Sequence, residues 1–287
     1  MTQMQRTFFP GSHWLYFKIY TGFKTTDLLI TDVIAPLAGQ LLNSQVINKW
    51  FFIRYSDPEL HLRLRFYLND TDKIGVPILM LNHALQKYLM NDLVWKIQLD
   101  TYQREVERYG VTTMELSESI FFYDSHFFAD ILRVINEKED ETFRWFTALA
   151  SIDALLNDFS YELQQKIDFI TLVKNNFARE FGLENSRSQL SNRYRSHKKE
   201  VEDMLEIKDN KHSIIRDILD RRSKEQKPVA DKIRLLVEND KKLHTLLSSY
   251  THMMINRWFR SKQRMYEAVL YDFLFKYYKS KMALKNT

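Results

Sequence analysis

The chain has 287 residues, 45% hydrophobic and 28% charged, the balance of a water-soluble globular protein rather than a disordered or fibrous one. Six Gly and five Pro exclude collagen-like and low-complexity classes, and the absence of Cys removes disulfides, thiolate metal sites and cysteine nucleophiles. The formal net charge of +5 is interleaved with acids, as in Lys198-Lys199-Glu200-Val201-Glu202-Asp203, so it marks no nucleic-acid-binding stripe.

Met1 to Gly11 has no continuous apolar segment of the secretory kind, and no stretch is long and apolar enough for a spanning helix, so a cytoplasmic protein with no membrane partner is expected. His13 to Tyr20 is aromatic-rich and bounded by Gly11 and Gly22, which predicts a strand. Thr25-Thr26-Asp27 reads as a helix cap, and Leu28 to Leu42 as an amphipathic helix that Pro36 kinks or divides. Lys49 to Tyr55 predicts a second strand, Ser56 to Glu59 a turn, and His61 to Leu68 the returning strand of a hairpin. A helix from about Lys73 to Met90 and a strand near Trp95 to Tyr102 follow.

From about Thr113 the pattern turns helical and stays so. Apolar residues from Leu116 to Ile135 mark one helix and Phe143 to Phe159 another. Gly182 to Ser196 reads as a polar loop. Lys198 to Lys227 reads as a solvated, mobile helical segment with a sparse apolar stripe. Pro228 is expected to open a helix, and Leu243 to Tyr278 to form one or two long ones.

Strand, helix, strand, strand, helix, strand is the order of the ferredoxin-like βαββαβ sandwich, an antiparallel sheet with two helices on one face. The expected class is therefore α+β: a ferredoxin-like subdomain over residues 1–112, followed by an all-helical subdomain over residues 113–287 packed against it, the two forming one functional domain. The second sheet face needs a cover, because exposed Trp and Phe would leave a large apolar patch. The C-terminal helices are the expected cover.

Chemistry-bearing residues gather in three places. In His61 to Phe66, strict alternation puts His61, Arg63 and Arg65 on one face and Leu62, Leu64 and Phe66 on the other. From alternation alone the cations form a solvated outer face. If the leucines face the helices, the cations lie under the cover and need anions from the protein or a ligand. Glu105 and Arg108 suit a local ion pair on a turn. His252 and Asn256 are four residues apart on one helical face, where a lone histidine is more often a packing residue than a catalyst. Glycine-rich nucleotide loops and the His-Glu-x-x-His motif are absent, and the eight histidines lack ligand spacing, so neither metal nor cofactor is expected.

Trp14 to Tyr20, Phe52 to Pro58 with His61, Arg63 and Arg65, Glu105 to Gly110, Glu115 to Glu118 with Asp124-Ser125, and His252-Met253 with Asn256-Arg257 are motifs whose order is distinctive. Together they resemble the C-terminal domain of lantibiotic dehydratases, the thiopeptide-type bacteriocin biosynthesis domain, over nearly the whole chain. In full-length enzymes resembling the nisin dehydratase, a larger N-terminal domain transfers glutamate from glutamyl-tRNA onto Ser or Thr of a precursor peptide. The domain resembled here then eliminates it, leaving dehydroalanine or dehydrobutyrine. The resemblance thus implies a stand-alone lyase acting on a precursor peptide glutamylated by a separate tRNA-dependent protein, with no direct nucleic-acid contact and a homodimer left open.

Residue by residue, the resemblance implies catalytic roles for Arg63, Arg65, Glu105, Arg108 and His252. His61, Arg54, Asn256 and Arg257 are expected to contact substrate or hold those groups. A second histidine that the family often carries is Met254 here. The chemistry suits the residue types: β-elimination needs a base, cations over a developing enolate oxygen and cations for the departing carboxylate. Two other readings stand beside it: a pyridine-forming cycloaddition enzyme of a thiopeptide pathway, and a non-catalytic scaffold binding a leader peptide by strand addition. All expect the hairpin arginines, the Glu105–Arg108 segment and His252 to share one cleft.

Overall fold

Period-two alternation of aromatic and aliphatic residues builds the N-terminal half of the computed structural model, which describes residues 4–138, 141–181, 187–206 and 213–285. Its strands are β1 (Thr7–Phe8), β2 (Trp14–Thr21), β3 (Ile47–Tyr55), β4 (His61–Leu68), β5 (Val94–Asp100) and β6 (Tyr102–Gln103). The four long strands form an antiparallel sheet in the order β3-β4-β2-β5, and β1 pairs with β6 in a separate ribbon. That order is the ferredoxin-like one, and the fold class is α+β as expected.

Leu15, Phe17 and Ile19 of β2, Trp50 and Phe52 of β3, and Leu62, Leu64 and Phe66 of β4 share one face and are buried. Two helical segments serve this half. The first is α1 (Phe23–Leu29), a π-helical turn (Ile30–Ile34) and α2 (Ala35–Asn43); the second is α3 (Gly75–Met90), entered through a 3-10 turn at Thr71–Lys73. The helix begins at Phe23, not after Thr25-Thr26-Asp27. Thr26 Oγ1 donates to the Phe23 carbonyl (2.6 Å), and Asp27 turns inward to Arg54 rather than capping. Pro36 divides the segment as predicted: it has no N–H to bond the preceding turn, and the π turn ends where the proline-initiated α2 starts.

Both sheet edges would be sticky if bare. The β3 edge is closed by α5 (Met114–Lys138), whose Ser125 Oγ accepts from the Phe52 N–H at 3.2 Å. Phe128 meets Phe52 on one sheet face, and Phe121 meets Phe51 on the other. Before α5, the short α4 (Val106–Tyr109) ends at Gly110, φ 78°, where a Cβ would lie 2.8 Å from Thr113 Oγ1, so only glycine fits. The chain divides into two compact units, Met1–Val134 and Ile135–Thr287. The first takes in most of α5 beyond the residue 112/113 division read from the sequence.

The second unit is helical: α6 (Glu141–Asp158), α7 (Leu163–Phe181), α8 (Arg187–Ser196), α9 (Lys198–Glu206), α10 (Ser213–Leu236), α11 (Asp240–Trp258) and α12 (Gln263–Lys285). Three expectations are corrected here. Residues 187–196 are helix, whereas the rest of the expected loop, 182–186, lies outside the described residues. The charged segment is not merely solvated: α10 buries Ile215, Ile218 and Leu219, and its Arg222 and Gln226 reach Asp158 of α6 at 3.4 and 3.0 Å. Pro228 lies inside α10 rather than opening a helix, since buried residues on both sides hold the helix across the lost hydrogen bond. No helix among the described residues is long and apolar enough to cross a membrane.

Arg54 and Asp27, both buried, pair at 2.5 Å and tie β3 to α1. Arg54→Met takes the cation away from the buried Asp27 carboxylate and is expected to cost about 3–5 kcal/mol. Urea unfolding should show this loss, and Arg54→Met with Asp27→Leu should recover most of it.

Candidate functional site

The register brings the cations of β4 to one face of the sheet. Tyr16, Lys18 and Tyr20 of β2 pair with Arg65, Arg63 and His61, and Phe51, Ile53 and Tyr55 of β3 pair with the same three from the other side. The leucines face the core, so the cations face away from it. They are not a solvated outer face, however: Arg65 is 6% exposed and His61 1%. Within the first unit, Tyr102 of the β1–β6 ribbon packs edge-on against Trp14 and Phe51 on this face.

Arg65 lies in an aromatic box. Its guanidinium carbon is 4.2 Å from the Tyr16 ring centre, 4.8 Å from Tyr102 and 5.1 Å from Phe51. Nε and Nη1 are buried with no hydrogen-bond partner among the described residues. Burial pulls Arg65 below the ordinary arginine value, while the nearby charge of Glu105 acts in the opposite direction and Arg63 adds to the lowering. It still carries its charge, because guanidinium does not deprotonate in proteins.

Arg63 stacks on Tyr55 at 3.4 Å, and its Nε–H donates to His61 Nε2 at 3.2 Å. That bond requires an unprotonated Nε2, so Nδ1 carries the proton and donates to the Glu59 carbonyl at 2.8 Å. His61 is therefore a neutral imidazole that holds Arg63, its pKa lowered first by burial. Lys18 pairs with Asp100, which holds the lysine above its ordinary value. Arg54 lies on the opposite face, with Asp27, and is not brought to Arg63 and Arg65.

Beyond the sheet, the dominant ion pair is one that sequence reasoning missed. Arg104, buried, binds Glu118 bidentately through Nε and Nη2, each at 2.7 Å, and the Tyr102 hydroxyl donates to the same carboxylate at 3.0 Å. This pins β6, and with it one wall of the Arg65 box, to α5. Glu105 and Arg108 form the local pair expected for a turn, 3.4 Å apart with side chains 63% and 36% exposed. Glu105 is brought to Arg65 electrostatically and to Arg108 directly.

His252 belongs to the second unit, on α11, and its surroundings lie there. Its Nδ1 is 3.0 Å from Oε2 of Glu267 on α12, a buried carboxylate that also accepts from the Tyr271 hydroxyl (2.9 Å) and from Arg264 Nη1 (3.1 Å). The Arg257 Nη1 group donates to the Met253 carbonyl at 3.1 Å on the same helix, and Asn256 follows His252 by one turn. No group of three or more His, Asp or Glu able to hold a metal occurs among the described residues.

Residues 14–278 match the family model described as lantibiotic biosynthesis dehydratase C-term. The chain belongs to this family. It is 25% identical over 275 residues to the subtilin biosynthesis protein SpaB of Bacillus subtilis, covering 91% of this chain and 25% of SpaB, so it spans about a quarter of that relative's length. In fold it resembles the tRNA-dependent lantibiotic dehydratase MibB from Microbispora sp. 107891, with a TM-score of 0.74 at 18% identity, covering 100% of this chain and 29% of MibB. It also resembles the pyridine synthase TbtD from thiomuracin biosynthesis, with a TM-score of 0.67 at 13% identity, covering 94% of this chain and 98% of TbtD.

For this member of the dehydratase family, sequence reasoning found the cations but not what surrounds them. Tyr16 and Phe51 stand beside Arg65 only through strand register and Tyr102 through the ribbon, whereas Glu267 stands beside His252 through helix pairing. Arg104 lies just before one quoted motif and Glu118 ends another, and no sequence signal joined them. His61 and His244 both sit below the ordinary histidine value of 6.5, chiefly through burial. The unfolded chain binds their protons first, so stability should be full above 6.5 and fall as pH drops from there toward the lowered folded values. Denaturation midpoints across that window should show the fall, and His61→Gln should flatten part of it.

Proposed function

We propose that this chain eliminates glutamate from glutamylated Ser or Thr of a ribosomally made precursor peptide, leaving dehydroalanine or dehydrobutyrine. The observation that carries the reading is Arg65: a buried guanidinium walled by aromatic rings, its Nε and Nη1 without a hydrogen-bond partner among the described residues, suits an anionic substrate group. The glutamyl carboxylates are such groups.

Elimination breaks the Cα–H bond, forms the Cα=Cβ double bond with those electrons and expels the glutamate carboxylate with the electrons of the Cβ–O bond. Arg63, Arg65 and Arg108 bind the glutamyl carboxylates and polarise the carbonyls on which negative charge develops. His252 takes the Cα proton. Glu105 orients Arg108 rather than moving a proton, since a carboxylate among cations is a weak base. His61 fixes Arg63, Asn256 and Arg257 support the helix around His252, and Arg54 serves the core pair. A second reading, the pyridine formation named for TbtD, is favoured by fold likeness over nearly all of that chain. It would act on dehydroamino acids already made.

A synthetic glutamyl-Ser peptide incubated with the protein should lose glutamate without gaining water, as read by mass spectrometry. Restored hydroxyl would mean hydrolysis, and turnover only of a peptide carrying two dehydroalanines would favour ring formation. Arg65→Gln should lower the elimination rate about 10²–10³-fold. His252→Ala should lower it about 10²–10⁴-fold, with glutamylated peptide persisting in both variants.

A further inference from the structure

The buried carboxylate behind His252 has no role in the proposed reaction as written. Glu267 lies one helix away on α12, with its side chain 2% exposed, whereas His252 is 29% exposed. The carboxylate has three donors: His252 Nδ1 at 3.0 Å and Arg264 Nη1 at 3.1 Å on Oε2, and the Tyr271 hydroxyl at 2.9 Å on Oε1. Tyr271 in turn lies 2.9 Å from Thr251 Oγ1, the residue preceding His252. With the Tyr271 proton on the carboxylate, the single Thr251 proton goes either to the Tyr271 oxygen or to the Leu247 carbonyl at 3.0 Å on its own helix. Both residues are fully buried, so this chain is fixed at its inner end.

An ionised carboxylate only accepts. The proton of the neutral imidazole must therefore sit on Nδ1, and Nε2 is left with its lone pair. Arg264 Nη1, 3.4 Å from the same Nδ1, cannot donate there while Nδ1 donates to Glu267, so its bond goes to the carboxylate. A lone surface histidine would sample both tautomers and several ring orientations. Here the buried acid removes that freedom.

We infer that Glu267 is the positioning residue of His252: it selects the Nδ1–H tautomer, aims Nε2 outward and stabilises the imidazolium formed when Nε2 takes a proton. The function assigned to that imidazole rests on the elimination reading; the tautomer does not. Nitrogen NMR of imidazole-labelled protein should show His252 protonated at Nδ1. Glu267→Gln keeps the shape, but its amide can donate as well as accept, and should give a tautomer mixture. The same variant should lower kcat on the glutamylated peptide about 10–100-fold with KM little changed. Glu267→Asp should restore part of the rate, and Tyr271→Phe should keep the tautomer. An unchanged tautomer and rate in Glu267→Gln overturn the inference. If the wild type leaves the glutamylated peptide intact, the elimination reading falls and the tautomer alone decides the role of Glu267.

Discussion

A guanidinium taken out of water, with no carboxylate among the described residues bonded to it, is the constraint on which the N-terminal unit turns. Other buried arginines in the described residues have recorded acceptors. Arg54 meets Asp27, Arg104 meets Glu118, Arg222 meets Asp158, and Arg144 and Arg257 bond backbone carbonyls. Arg65 instead has ring faces, whose negative quadrupoles recover part of the lost hydration while leaving Nε and Nη1 without a hydrogen-bond partner among the described residues. Uncompensated burial of this kind is costly, and its natural remedy is an anion from outside the fold.

The surroundings of Arg65 keep that gap from collapsing. Asp100 is engaged by Lys18, Glu118 by Arg104 and Tyr102, and Asp27 is on the other face with Arg54. The acids that might have neutralised the site are thus already committed, apart from Glu105, which is largely exposed and pairs loosely with Arg108. Arg63 is steadied from behind by a neutral histidine rather than by a carboxylate, so its charge also stays available.

The second unit handles charge in the opposite way. Glu267 is buried with three donors, and one of them is the imidazole of a half-buried histidine. One unit therefore holds cations short of anions, and the other holds an acid that disciplines a titratable base. An elimination needs both kinds of group, one to receive expelled charge and one to accept a proton.

Much of the architecture was legible without coordinates. Alternation in His61 to Leu68 placed leucines and cations on opposite faces, and the sequence of periodicities implied the ferredoxin-like strand order, because period and element order are local properties of the chain. The elements that sequence misjudged were those decided by packing: helix 187–196, the burial of the charged α10, the continuity of that helix through Pro228, and the inward turn of Asp27. The same limit applies to the candidate site. Residue types alone pointed to Arg63, Arg65 and His252, but the box of Tyr16, Phe51 and Tyr102, the Arg104–Glu118 clasp and the Glu267–His252 bond join residues that are distant in the chain. Strand register and helix pairing decide such neighbours, and both come from how the whole apolar surface is buried, a sum that no single stretch of sequence contains.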